Sequence, residues 1–150
     1  TMFTIKRFRS SETSLHETAL NIRRQVFVSE QGVDPSLEYE HEDESSHYLL
    51  LIGGKPIATA RWRETEKGIK LERFAVLPAF RNRGIGEILL KAVLTDVSAL
   101  QEAGKSGKNG VIYLHAQLKA VPFYERNGFR KEGAMFREAG LEHYRMHYQP

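Results

Sequence analysis

The sequence predicts an α+β domain, with a mixed, mostly antiparallel sheet of six to seven strands flanked by helices on both faces. Three observations carry this. Strand-like stretches outnumber helical ones along the chain. The central ones follow one another across short turn signals, Gly53-Gly54 and Lys67-Gly68, so they pair antiparallel. Stripes of three-and-four spacing lie before and after that run, which leaves only part of the sheet free to be parallel.

Phe3, Ile5 and Phe8 belong to a short opening strand. Ser14 followed by Glu17 has the spacing of a capping box, and Leu15, Ala19, Ile22 and Val26 make an amphipathic first helix. Residues 32–46 are acidic and contain Pro35, so they read as loop with a short helical turn. Tyr48 to Ile52 is β-rich, and Ile57 to Arg63 alternates with Ala58, Ala60 and Trp62 on one face. Ile69 to Val76 follows, and Pro78 ends it by removing a ladder donor. From Gly84 the period changes. Ile85, Ile88, Leu89, Ala92, Val93, Val97 and Leu100 stripe one face of a long helix that Gly104 stops. Val111 to Ala116 is a short buried strand, and Val121, Tyr124 and Glu125 lie in a compact helix ended by Asn127-Gly128. Glu142 to Tyr148 reads as the final strand.

Composition narrows the function. With 150 residues, 41% hydrophobic and 27% charged, the chain suits one globular domain, read over residues 2–150 with Thr1 set aside. The absence of cysteine excludes disulfides, thiolate metal sites and a cysteine nucleophile. Apolar runs reach about five residues, far below the ~20 of a membrane helix, and no leader-like segment opens the chain. A cytoplasmic protein without a membrane partner is the expectation. The net charge of +3 is a weak hint of anionic partners. Acidic residues crowd 38–44, while Arg81, Arg83, Lys119, Arg126, Arg130 and Lys131 lie in the second half. That asymmetry suits a protein handling a cation on one side and an anion on the other, or two solvated faces.

The segment from Leu71 to Gly86 is a strand, a basic glycine-containing turn and a helix start. It aims backbone N–H groups and the positive end of a helix dipole at one spot, which suits an anion. Glycine there lets the backbone close on phosphate oxygens. The dinucleotide fingerprint does not fit, because Leu89 stands where its third glycine or alanine belongs and no βαβ order precedes it.

Arg81, Gly84 and Gly86 resemble the acyl-coenzyme A signature of the GNAT superfamily of N-acetyltransferases, [Q/R]-x-x-G-x-[G/A] after a strand. The stretch from Ala116 to Phe129, with Phe123-Tyr124 and Gly128-Phe129, resembles the family's second signature, and element order and length agree with it over the whole chain. Val26 to Val33 resembles a bacterial subgroup of unassigned acceptor. The resemblance implies an acyl-CoA N-acyltransferase fold that moves acetyl from acetyl-CoA to a small amine or a peptide amine. It implies pantetheine against Phe74, Ala75 and Val76, in a gap between that strand and the one ending near Ala116. Pyrophosphate would rest on Arg81, Asn82, Arg83, Gly84, Ile85, Gly86 and Glu87. Gln117 stands where many relatives have Asn, Val121 and Phe123 join the donor wall, and Arg126 or Lys119 reaches the 3′-phosphate. Tyr124 takes the position of the general acid.

Without a cysteinyl intermediate, direct attack in a ternary complex is the natural route, and it needs a base, an oxyanion donor and an acid. Val76 N–H is the expected oxyanion donor. Glu72 is the first candidate base, four residues before Val76 and read as sharing its strand face; the alternative is a glutamate paired with Arg73 or Lys70. For Tyr124 the alternative is packing beside Phe123. No metal is expected. The spacing of Glu38 to Glu44 and His47 matches no metal motif, and His143 and His147 stand ~13 Å apart if they lie in a strand. The acidic stretch either lines the acceptor pocket or is solvated. A rival reading is a GNAT-like module that binds coenzyme A as a sensor or partner without turnover. A nucleic-acid binder, prompted by the sequence pI near 9.2, lacks any binding motif. Oligomeric state is open and leaves room for a homodimer.

Overall fold

The strand-forming stretches assemble into one seven-stranded sheet, ordered β1-β2-β3-β4-β5-β7-β6, in a computed structural model that describes residues 2–105 and 109–150. The strands are β1 (Phe3–Phe8), β2 (Ser46–Ile52), β3 (Lys55–Thr65), β4 (Gly68–Val76), β5 (Ile112–Gln117), β6 (Phe129–Glu138) and β7 (Leu141–Tyr148). The helices are α1 (Thr13–Arg23), a single turn α2 (Pro35–Glu38), α3 (Ile85–Glu102) and α4 (Val121–Arg126). The mixed sheet with helices on both faces is as the sequence predicts. On one face Leu89, Leu90, Val93 and Val97 of α3 pack on Ala58, Ala60, Trp62, Leu71 and Leu114. On the other, Ala19 and Ile22 of α1 with Val26 and Phe27 pack on Phe8, Leu49 and Ala75. Each large side chain so buried contributes ~1.5–3 kcal/mol, which is why periodicity alone predicted these faces. The α3 helix stops as expected. Gly104 takes φ +68°, and the N–H groups of Gly104 and Lys105 close on the carbonyls of Gln101 and Leu100.

Three local readings change. The sequence pattern yields no strand at β6, because Phe129–Glu138 is an edge strand, mostly exposed and interrupted by a bulge between Glu132 and Phe136. The Ser14/Glu17 capping box does not form. A turn from Arg9 to Glu12 starts the helix earlier, so Ser14 is already inside its first turn. The first helix also does not run uniformly to Val26, because it widens into a π-helical stretch, Arg24–Glu30, where Gln31 N–H reaches back five residues to the Val26 carbonyl.

The only parallel pairing in the described sheet is β4 with β5, and it has three rungs, Ile69–Ile112, Lys70–Tyr113 and Leu71–Leu114. Gly68 starts them. A Cβ there would lie 2.4 Å from the Val111 carbonyl oxygen. Past Leu71 the two strands part. A bulge in β4 accompanies the divergence, with Arg61 opposite Glu72 but Thr59 opposite Ala75, and Arg73 at φ +59°. The extra residue reverses the pleat. Glu72 therefore shares its face with Ala75 on the α1 side, while Val76 packs on the α3 side, which corrects the same-face reading of Glu72 and Val76.

Candidate active site

The fork between β4 and β5 opens into a cavity of about 830 Å³, the size range of a ligand pocket. One wall begins at the turn the sequence singles out. Gly84 takes φ +76° at the N-cap of α3, and no side chain caps the helix. The N–H groups of Ile85, Gly86 and Glu87 are thus left for an outside acceptor at the positive end of an 18-residue helix. Arg81 is not a free cation. Its guanidinium makes a two-pronged pair with Glu30 at 2.5 and 2.6 Å, and its Nε donates to the Val76 carbonyl at 3.0 Å. Arg83 lies over the Phe80 ring at 5.6 Å. Leu77 N–H bonds the Ile57 carbonyl of β3, so strand alternation turns Val76 N–H toward the open fork. Across the gap Gln117 donates its amide to the Gln31 side-chain oxygen at 2.8 Å.

Phe74, Ala75, Val76, Arg81, Asn82, Gly86, Gln117, Lys119, Phe123, Tyr124 and Glu72 all line the cavity. Ile85 and Val121 do not, because their side chains are buried in the α3-side core. Arg83, Gly84, Glu87 and Arg126 are exposed outside it. Tyr124 is almost buried between Phe123 and Phe129, with ring centroids 5.1 and 5.7 Å away in edge-on contacts. Burial raises its phenol above the ordinary range, so the hydroxyl keeps its proton at any working pH.

Glu72 is buried and surrounded by cations. Its carboxylate lies 2.9 Å from Arg61, 2.6 Å from Arg63, 3.4 Å from Lys70 and 3.8 Å from Arg73. Burial alone would raise its pKa, but these charges, Arg61 first, hold it at about 2. Arg61 continues the network to Glu42, which Arg23 binds with two bonds of 2.7 and 2.8 Å and His16 with a third at 2.7 Å. Burial opposes ionisation of Glu42 too, and Arg23, His16 and Arg61 bring it to about 2. The acidic stretch is therefore not a solvated loop at Glu42, although Glu40 and His41 do line the cavity. Nothing is described of the Glu38 side chain. His16, Glu42 and His47 bring three metal-type ligand atoms within 4.8 Å of one another. The donor set does not fit a cation, because Arg23 and Arg61 already occupy the Glu42 carboxylate.

One group has no counterpart in the sequence reading. His115 of β5, Glu138 of β6 and His143 of β7 meet on the cavity wall. His115 Nδ1 lies 3.0 Å from Glu138 Oε1, and His143 Nε2 lies 3.8 Å from Glu138 Oε2. Glu138 sits in the strand that the pattern does not show, so the sequence alone gives no means of bringing these residues together.

A parallel pair of strands that parts after three rungs, with an uncapped helix N-terminus at its mouth, defines an enzyme of the acyl-CoA N-acyltransferase fold. Residues 11–150 match the family described as the acetyltransferase (GNAT) domain, and the chain belongs to the GNAT acetyltransferases. It is similar to the uncharacterized N-acetyltransferase YjcF of Bacillus subtilis, 38% identical over 133 residues that cover 85% of this chain and 88% of that protein. In three dimensions it resembles ElaA of Escherichia coli, with TM-score 0.81, 24% identity and 99% and 100% of the two chains covered. A second structural likeness is a GNAT family acetyltransferase from Elizabethkingia anophelis with acetyl-CoA bound, with TM-score 0.69, 14% identity and 99% and 98% coverage. These last two likenesses speak for the fold. The family makes the chain an acyl-CoA-dependent acetyltransferase. No described helix is long and apolar enough to cross a membrane.

Proposed function

We propose that the protein is a single domain over residues 2–150 that transfers acetyl from acetyl-CoA to a primary amine, small or peptidic, by direct attack within a ternary complex in the cytoplasm. The observation that carries this is the fork itself, whose β4 edge offers Val76 N–H to the gap while the α3 N-terminus lies at its mouth. In this reading the pantetheine arm takes the place of missing ladder partners along Phe74–Val76, and the Gln117 amide exchanges Gln31 for that arm. The N–H groups of residues 85–87 receive the pyrophosphate, aided by Asn82 and Arg83 and by Arg81 when the anion takes the place of Glu30 on its guanidinium. Lys119, exposed at the cavity wall, or Arg126, exposed outside it, meets the 3′-phosphate. Val76 N–H donates to the developing oxyanion, and Tyr124 gives a proton to the departing thiolate. Glu72, held at about 2 among four cations, has little tendency to take a proton and serves here as the anchor of those cations.

Titrating the protein with acetyl-CoA is expected to raise its melting temperature in a saturable way. A ligand at 100 times its dissociation constant adds ~2.7 kcal/mol. Gly84→Val is expected to abolish the shift while the protein still folds. The position has open space around its Cβ, and a β-branched residue at φ +76° costs ~1–3 kcal/mol. Absence of any shift at millimolar ligand refutes the donor site. Thiol release across a panel of amines, with intersecting double-reciprocal lines, supports direct transfer. A shift without release for any amine supports the sensor reading instead.

A further inference from the structure

Direct transfer needs a group to take the proton of an incoming ammonium, and the cation-locked Glu72 leaves that position open. The opposite wall of the fork supplies one. We propose that His115 is the catalytic base of the reaction and that Glu138 is the positioning residue that fixes its tautomer; this rests on the acyl-transfer reading above.

His115 is the first residue of β5 beyond the last rung, Leu71–Leu114, so it stands at the apex where the strands part. Ile112, Leu114 and Ala116 alternate into the core under α3, which turns His115 toward the α1 face. That is the face from which Val26, Phe27 and Val33 line the cavity, opposite the face on which α3 presents its N-terminus. Donor and acceptor thus approach from different faces, and His115 is on the acceptor's. An ionised carboxylate only accepts hydrogen bonds, so the 3.0 Å contact with Glu138 places a proton on Nδ1, and in the neutral ring it is Nε2 that carries the lone pair. The His115 bond is the largest influence on Glu138 and lowers its carboxyl from the usual range, so it stays ionised. The ring is held edge-on to Phe136 at 5.0 Å and tilted to Tyr113 at 6.0 Å. A base oriented by a third group is the arrangement that activates a nucleophile.

The charged groups around the ring come from each neighbouring strand. Glu138 comes from β6. On β7, Arg145 stands opposite and is paired with Glu132 at 3.3 Å, and His143 shares the Glu138 carboxylate while bonding the Leu141 carbonyl through Nδ1 at 2.9 Å. From β4, Lys70 acts on Glu138. The chemistry balances. Nε2 takes one proton from the ammonium and passes it to solvent. The freed nitrogen lone pair forms the C–N bond, the C–S electrons leave on sulfur and Tyr124 protonates the thiolate; the second N–H proton then goes through solvent to restore the Tyr124 hydroxyl, so the net products are amide, thiol and one proton.

The test uses the full chain with acetyl-CoA and an amine that the wild type acetylates. His115→Gln is expected to lower kcat ~10²–10⁴-fold and to remove the acidic limb of its pH profile, with the acetyl-CoA thermal shift unchanged. Glu138→Gln removes the negative charge beside the ring and is expected to move that limb to lower pH, a displacement a merely structural clasp does not produce. Nitrogen NMR of the His115 ring in the free protein is expected to show the proton on Nδ1. An unaltered kcat profile in His115→Gln, an unmoved limb in Glu138→Gln, or a proton on Nε2 each overturns the proposal. A wild type that releases no thiol with any amine overturns the acyl-transfer reading itself, and this one with it.

Discussion

Glu42→Ala is expected to destabilise the fold by ~3–5 kcal/mol, the usual cost of removing one partner from a buried ion pair. The carboxylate holds Arg23 and Arg61, both with side chains 1% exposed, and bonds His16 as well. Truncation leaves two guanidinium groups without this anion. In a chain of this length that corresponds to a melting temperature lower by roughly 10 °C. Urea unfolding checks it: the midpoint falls while the slope stays, since native and unfolded surfaces barely change. A midpoint equal to wild type refutes the structural weight given to the network. The same network sets the acid limit. Glu42 and Glu72, both at about 2 when folded against 4.5 ordinarily, contribute stability that is fully present above 4.5 and is lost as pH falls toward 2. His47, pushed down by burial to about 4 from 6.5, stays neutral when folded, so stability already declines as pH falls from 6.5 toward 4.

Tyr124→Phe is expected to lower kcat ~10²-fold or more with acetyl-CoA affinity nearly unchanged. General acids contribute ~10²–10⁴-fold, and a thiolate of pKa ~8.5 leaves partly unaided, which favours the lower end. The ring remains, with its contacts to Phe123 and Phe129, so the donor wall keeps its shape. The measurement is kcat against pH with donor affinity alongside. Equal kcat values reduce Tyr124 to a wall residue, and a fall in folding stability supports the packing role.

Backbone-level features were the legible ones. Gly84, Arg81 and the change of period at Ile85 announce the turn and helix start, because they depend on neighbouring residues only. The reversal of the pleat at Arg73 left no trace, since an arginine at φ +59° has no compositional signature. Glu42 reads as one acid among several, and its partners Arg23 and Arg61 each lie 19 residues away on other elements. His115 and Glu138 are separated by 23 residues and by a strand whose exposed, charged pattern resembles loop.

The three rungs between β4 and β5 make the sheet two leaves on a short hinge, β1 to β4 on one side and β5, β7 and β6 on the other. Below the hinge the leaves are stitched by backbone; above it the inner edges share no ladder. The amide of Val76, which faces the gap, should therefore exchange its hydrogen with solvent far faster than that of neighbouring Leu77, whose N–H is bonded to the Ile57 carbonyl of β3. An extended chain bridging the gap would complete the seam, and the donor arm then becomes a removable rung of the sheet. On the proposed reading, the seam with the fewest backbone bonds and the groove for the donor are one and the same edge.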